Sequence, residues 1–130
     1  MKHNLTSLLL LPVAGAMIFA TAAWARTYTL QPSSAVPGAT GTVDAKAQKS
    51  GGNTDVSVKV EHLARPTVLA PPANNYVVWI EPQGGQPQNE GVLDVGDNEK
   101  GALKITTTAS KFAVLVTAEN EAHAQEPLNG

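Results

Sequence analysis

The chain has 130 residues, of which nine are basic, eleven are acidic and none is cysteine. The lack of cysteine excludes disulfides, thiolate metal sites, haem attachment, lipidation at a lipobox and cysteine nucleophiles. The mild acidity argues against a nucleic-acid partner, because nucleic acid binds clustered Lys and Arg side chains.

The first 25 residues have the features of a secretory signal peptide. Lys2 precedes an apolar run over residues 8–19, and the segment closes on Ala23-Trp24-Ala25. Signal peptidase requires small side chains at two positions, which Ala23 and Ala25 supply, so we predict a signal helix that is cleaved after Ala25. The predicted location is periplasmic or secreted. The alternative is an uncleaved signal that anchors the chain in the membrane, because the apolar stretch is about long enough to cross a hydrocarbon core of roughly 30 Å.

Cleavage would leave residues 26–130, with eight basic and eleven acidic side chains and a formal charge near −3. That length suits one domain and is too short for two. Residues 26–39 combine Pro, Ser and Gly in a composition that is typical of an extended leader. We expect a β-sandwich domain over residues 40–130, with a polar C-terminal tail that frays or adds an edge strand.

Residues 43–47 and 56–60 alternate apolar and polar side chains with a period of two. This alternation is typical of strands that have one solvated face. The turn-forming cluster at residues 49–53 lies between them and predicts a hairpin. Three prolines between residues 64 and 73 predict a loop, because proline lacks the amide donor that a strand ladder needs.

Residues 76–80 and 112–116 are apolar on both faces. Between them we predict a surface loop over residues 82–91, a short strand over residues 91–95 and an alternating strand over residues 102–107. No window after the signal segment repeats apolar side chains at helical spacing. The pattern predicts an all-β fold, an immunoglobulin-like antiparallel β-sandwich of about six to seven strands after the N-terminal signal helix.

A β-sandwich buries one face of each sheet, so the two segments that are apolar on both faces leave a second face to be covered. In immunoglobulin-like topology these strands are neighbours, and alternate residues lie on the same side. The two strands can be oriented in two ways. In one orientation the second face carries a possible interaction patch of Val77, Trp79, Ala113 and Leu115. In the other orientation the second face carries Tyr76, Val78, Ile80, Phe112 and Val114. The second face is a candidate surface for an envelope partner or for self-association, unless the leader lays Tyr28 and Leu30 over it or Trp79 faces the core.

Two histidines follow the signal segment, His62 and His123, and neither has the neighbours of a hydrolytic triad or a zinc site. His62 continues the alternation of residues 56–60, which predicts a partly buried residue at a strand end. Glu119, Glu121 and His123 would share one side of an extended tail, where their oxygen and imidazole groups could hold a divalent ion. We predict a non-enzymatic protein with no cofactor. The alternative is a metal-binding or hydrolytic periplasmic protein that uses His62 or the Glu119/Glu121/His123 segment.

A series of residues in the later strands follows a recognisable order. Tyr76 and Trp79 form a Tyr-x-x-Trp strand, residues 85–87 form a Gly-x-Pro loop, Gly91 opens the next strand, and residues 112–119 end in Val-Thr-x-Glu. Over roughly residues 40–120 the chain resembles the extracytoplasmic C-terminal domain of the anti-sigma-K factor family. The resemblance implies a sandwich fold, an envelope location and action through protein contact. It gives no support for sigma-factor binding by this chain, because almost no sequence precedes the signal to supply the family's cytoplasmic helical segment.

Overall fold

Within the part of the chain that the structure describes, eight strands form two antiparallel sheets of four strands each, which confirms the all-β prediction. The computed structural model describes residues 17–21, 26–48 and 51–128. In chain order the strands are β1 (Met17–Thr21), β2 (Arg26–Thr29), β3 (Thr40–Ala47), β4 (Thr54–Glu61), β5 (Asn75–Pro82), β6 (Gln88–Leu93), β7 (Gly101–Thr107) and β8 (Phe112–Glu119). A 3₁₀ turn at Pro66–Val68 is the one helical element of the described ranges, and no helix there is long and apolar enough to cross a membrane.

The strand order is β1-β8-β5-β6 in the first sheet and β2-β3-β4-β7 in the second sheet. β3 and β4 form the predicted hairpin, and the Gln48 N–H donates to the Asn53 carbonyl at 2.8 Å across its turn. β5 and β8 are neighbours, as expected, and pair antiparallel along their whole lengths. The first sheet therefore holds both strands that are apolar on both faces.

The main core lies between the two sheets. In β3 and β4 buried and exposed residues alternate as the sequence predicts, and Val58 of β4 is 0% exposed between Val43 of β3 and Leu103 of β7. The first sheet contributes the even-numbered residues of β5 and β8 to this core, namely Tyr76, Val78, Ile80, Phe112, Val114 and Val116. The odd-numbered residues of these strands therefore lie on the opposite, outer face. This decides between the two sets of residues that the sequence allows for the second face.

The leader is part of the folded domain. β2 pairs with β3, and the Leu30 N–H donates to the Gly41 carbonyl at 2.9 Å. Leu30 and Val36 are buried in the main core and Tyr28 packs against it, so the leader does not cover the outer face of the first sheet. The Leu30 side chain packs closely against the backbone of Gly41, since a Cβ at position 41 would lie 2.7 Å from Leu30 Cδ1. Glycine at position 41 therefore lets the leader reach the core.

β6 begins at Gln88, inside the segment that the sequence predicts as a surface loop. Its register with β5 shifts by one residue, so that Glu90 is the extra residue of a β-bulge. Gly91 has a φ of 133°, and its N–H donates to Asn89 Oδ1 at 2.9 Å. The loop prediction fails here because the polar residues before Gly91 lack the β-branched and aromatic side chains that mark a strand.

β1 lies within the segment that the sequence predicts as a signal helix. Met17–Thr21 is extended there and pairs antiparallel with β8, from Met17 opposite Val116 to Thr21 opposite Phe112. The rest of residues 1–25, including Ala23 and Ala25 of the predicted cleavage site, lies outside the described residues. In the full chain β8 thus has a strand on each side.

The pH dependence of stability is expected to report on Tyr76. Its hydroxyl donates to the Ala64 carbonyl at 2.6 Å, and burial raises the pKa of Tyr76 to about 12. An unfolded tyrosine ionises near pH ~10, so above that pH the unfolded state binds fewer protons than the folded state and stability falls as pH rises towards about 12. Tyr76→Phe is expected to remove this part of the decline.

Denaturant unfolding of both proteins at pH about 8 and about 11 measures the effect. Both proteins contain the same lysines, so the difference between their losses of unfolding free energy excludes the contribution of lysine ionisation. An identical loss of unfolding free energy in the wild type and in Tyr76→Phe would contradict the prediction.

Candidate functional site on the outer face of the first sheet

A second, smaller apolar cluster lies on the outer face of the first sheet. This outer-face cluster consists of Val77, Trp79 and Leu115, with relative exposures of 0%, 0% and 2%, and Ala124 packs against it. Trp79 on β5 lies directly opposite Leu115 on β8, and Ala113 follows on the same face at 7% exposure. The structure therefore brings together the four residues of the predicted patch, and it buries them.

The segment that covers this cluster is residues 120–128, here called the C-terminal strap. It leaves the end of β8 and crosses towards β6, where the Asn89 side-chain amide donates to the carbonyls of Ala122 at 2.9 Å and Ala124 at 3.0 Å. The Asn74 side chain donates to the Asn120 carbonyl at 3.1 Å. The expectation of a tail that frays or adds an edge strand is thus wrong for the described residues, because these bonds hold the tail across the sheet.

A chain of buried hydrogen bonds runs along the same face. The Trp79 Nε1–H donates to Thr117 Oγ1 at 2.7 Å, and the Thr117 hydroxyl donates to Glu119 Oε2 at 2.6 Å. The same carboxylate oxygen accepts the Leu128 N–H at 2.9 Å. Thr117 and Glu119 are 1% and 2% exposed, so each needs these partners to offset its desolvation. The chain of bonds fastens the far end of the strap to the indole at the centre of the cluster.

The predicted metal ligands do not converge. The Glu119 side chain is buried on the outer face and accepts a hydrogen bond from Thr117, whereas Glu121 and His123 are exposed on the strap. His62 follows the end of β4 with a φ of 57° and is exposed, which corrects the expectation of a partly buried residue. Its left-handed backbone ends the alternation of β4 and turns the side chain to solvent. Within the described residues no three His, Asp or Glu side chains are placed to hold a metal ion together.

An open groove of about 550 Å³ lies where the strap meets β6. It is lined by residues 87–91 and 123–125, so that Glu90 of the β-bulge and His123 of the strap both reach it. Burial raises the pKa of the Glu90 carboxyl above its usual range. The groove offers one carboxyl and one imidazole beside backbone and amide groups, and its lining contains no hydroxyl, thiol or amine nucleophile.

Two polar residues organise this face, Thr117 and Asn89, and the sequence analysis assigned a contact to neither, although Thr117 belongs to the Val-Thr-x-Glu motif. Thr117 is the one hydroxyl in the apolar run of β8, and that interruption of the run was a usable signal. Asn89 lies in a polar stretch of Gln, Asn and Glu and carries no comparable signal. Its partners are 33 and 35 residues away, so no local pattern could reveal them.

Comparison of the chain with protein-family models, with curated proteins and with solved structures finds no match. Its function is therefore inferred from the residues and geometry described above.

Proposed function

We propose that the chain is an exported, non-enzymatic β-sandwich domain that acts through protein contact in the cell envelope. The observation that supports this most is the outer-face cluster, in which Val77, Trp79 and Leu115 are buried outside the main core. A sheet that packs on one core needs one apolar face. A second apolar face has to be covered, either by the chain itself or by another molecule, because large apolar patches are rarely left exposed.

The C-terminal strap is the segment that a partner displaces in this proposal. Ala124 supplies its packing against the cluster, and Asn89 and Glu119 supply hydrogen bonds to its backbone. A typical hydrogen bond contributes about 1 kcal/mol net, so opening the strap costs a few kcal/mol, which a protein interface can offset. The opened face presents Trp79, and tryptophan is enriched among the residues that dominate binding energy.

We also propose that the two sheets are arranged as in an immunoglobulin-like sandwich. The order of the strands supports this, since β3, β4 and β7 can be matched to strands A, B and E of that topology. β6, β5 and β8 then match strands C′, C and F. In this arrangement β1 takes the place of the last strand, G, beside F.

The location in this proposal is periplasmic or secreted, with residues 1–25 acting as a signal peptide that is cleaved after Ala25. Lys2, the apolar run and the pair Ala23 and Ala25 support it. The role is similar to that of the sensor domain of anti-sigma-K factors. Of the residues that carry this resemblance, Trp79 on β5 and Leu115 and Thr117 on β8 lie on the outer face, whereas Tyr76 lies in the main core. The partner is another envelope protein or a second copy of the chain.

A photo-reactive residue beside the cluster tests this function in the native envelope. Glu81 is suited to replacement, because it lies opposite Ala113 on the outer-face side of β5 and is partly exposed. Lys46, exposed on β3 of the second sheet, is the matched control position. We expect a discrete cross-linked protein from position 81 and none from position 46. Absence of a product at both positions, or the same product at both, would contradict the proposal.

A further inference from the structure

β8 is built as an interior strand of its sheet. Residues 112–116 are all buried and carry neither charge nor proline. β5 pairs with one side of this strand, and β1 pairs with the other through the five residues Met17–Thr21. A strand of this composition requires a neighbour on both sides, because an uncharged apolar edge is prone to pair with other chains.

Signal cleavage removes one of these neighbours. β1 lies ahead of the predicted cleavage after Ala25, so the processed chain keeps β5 as the neighbour of β8 and loses β1. The backbone N–H and C=O groups of residues 112–116 that face β1 are then without partners. Proteins usually protect such edges with Lys, Pro or a bulge, and none of these occurs within residues 112–116.

The remaining described segments are already placed elsewhere. β2 pairs with β3 in the second sheet, and the C-terminal strap crosses to β6 at the opposite edge of the first sheet. β1 also contacts β2, so the vacated position is a slot between β8 and the edge of the second sheet. A single extended segment fits this slot, because the single strand β1 is the segment seated there in the full chain.

We propose that the β8 edge of the processed chain binds an extended, uncharged apolar segment of a partner protein as an added antiparallel strand. The strand seated there in the full chain, Met-Ile-Phe-Ala-Thr at residues 17–21, defines the chemistry of that segment. Main-chain hydrogen bonds supply the affinity in this mode of recognition, and alternate side chains supply the specificity. The proposal rests on the cleavage assumed in the proposed function and adds a second site, at the edge of the sheet, with the kind of partner that it takes.

The absence of cysteine from the chain allows a register-specific test. The processed protein with Ala113→Cys is purified from the envelope and mixed, under mild oxidation, with a peptide of residues 15–23 that carries Ala20→Cys. Ala20 lies directly opposite Ala113 in the structure, so a disulfide is geometrically suited to this pair. The control peptide carries Phe19→Cys instead. A shift of one residue places its thiol on the other face of the sheet, and we expect about tenfold less cross-linking.

A second measurement avoids any change to the protein. The unmodified peptide is expected to slow amide hydrogen exchange at residues 112–116 of the wild-type processed chain, while a peptide with Phe19→Pro is not, since proline interrupts the ladder. Equal cross-linking by both cysteine peptides together with unchanged exchange would overturn the proposal and leave the proposed function standing. A processed chain that is already dimeric through position 113 would overturn it in favour of a second copy. A purified chain that still begins at Met1 would overturn both the proposal and the export on which it rests.

Discussion

Val58→Asp is expected to lower the free energy of unfolding by several kcal/mol, whereas Lys59→Asp is expected to change it by less than about 1 kcal/mol. Val58 is 0% exposed in the main core, so an aspartate there buries a carboxylate without a partner. Lys59 is the next residue of β4 and is exposed, so its replacement exchanges one solvated charge for another.

Denaturant unfolding of both variants measures the difference. The pair is matched in the residue introduced, in strand and in distance from the hairpin turn, which leaves burial as the main variable. Equal stability of the two variants would contradict the arrangement of β4 between β3 and β7.

Truncation after Glu119 is the second change with a large expected effect, because it removes the C-terminal strap. Exposing on the order of 100–150 Å² of apolar surface at about 25 cal/mol per Å² predicts a loss of about 3 kcal/mol. We also expect new binding of a hydrophobic dye, since Trp79 and Leu115 lose the cover that Ala124 provides. Thermal unfolding and dye fluorescence measure the two effects.

Truncation after Gln125 is the control for the strap. It removes the Leu128 N–H that bonds to Glu119 but keeps Ala124 and its bonds to Asn89. We expect a smaller loss of stability and no dye binding. The chain truncated after Glu119 could instead be as stable as the full chain and bind no more dye. That result would show that the strap does not cover the outer face.

The strands with one solvated face could be predicted from the sequence in detail. The alternation in β3 and β4 reports directly which residues are buried, because a strand has a side-chain period of two. The apolar segments of β5 and β8 could be assigned to strands. The sequence could not show which face of each strand lies in the core, since both faces are apolar. Which face is turned to the core depends on the pairing with strands that are distant in the sequence, and no local pattern encodes that pairing.

The parts of the candidate site that escaped prediction depend on long-range contacts. The patch of Val77, Trp79, Ala113 and Leu115 was identifiable as one of two possible sets. Its cover was not, because the strap is held by the side chain of Asn89, on a strand with a polar sequence. The polar side chains that suggested a frayed tail do not fasten it, because the backbone of the strap makes the bonds to Asn74, Asn89 and Glu119.

Native mass spectrometry of the protein released intact from its own envelope tests the proposed function most directly. It weighs the chain, any bound metal and any partner in a single measurement. We predict a chain mass equal to residues 26–130, no metal, and a complex with a second protein. A chain that begins at Met1, or a processed chain that is alone or carries a stoichiometric metal ion, would contradict an exported domain that acts through protein contact.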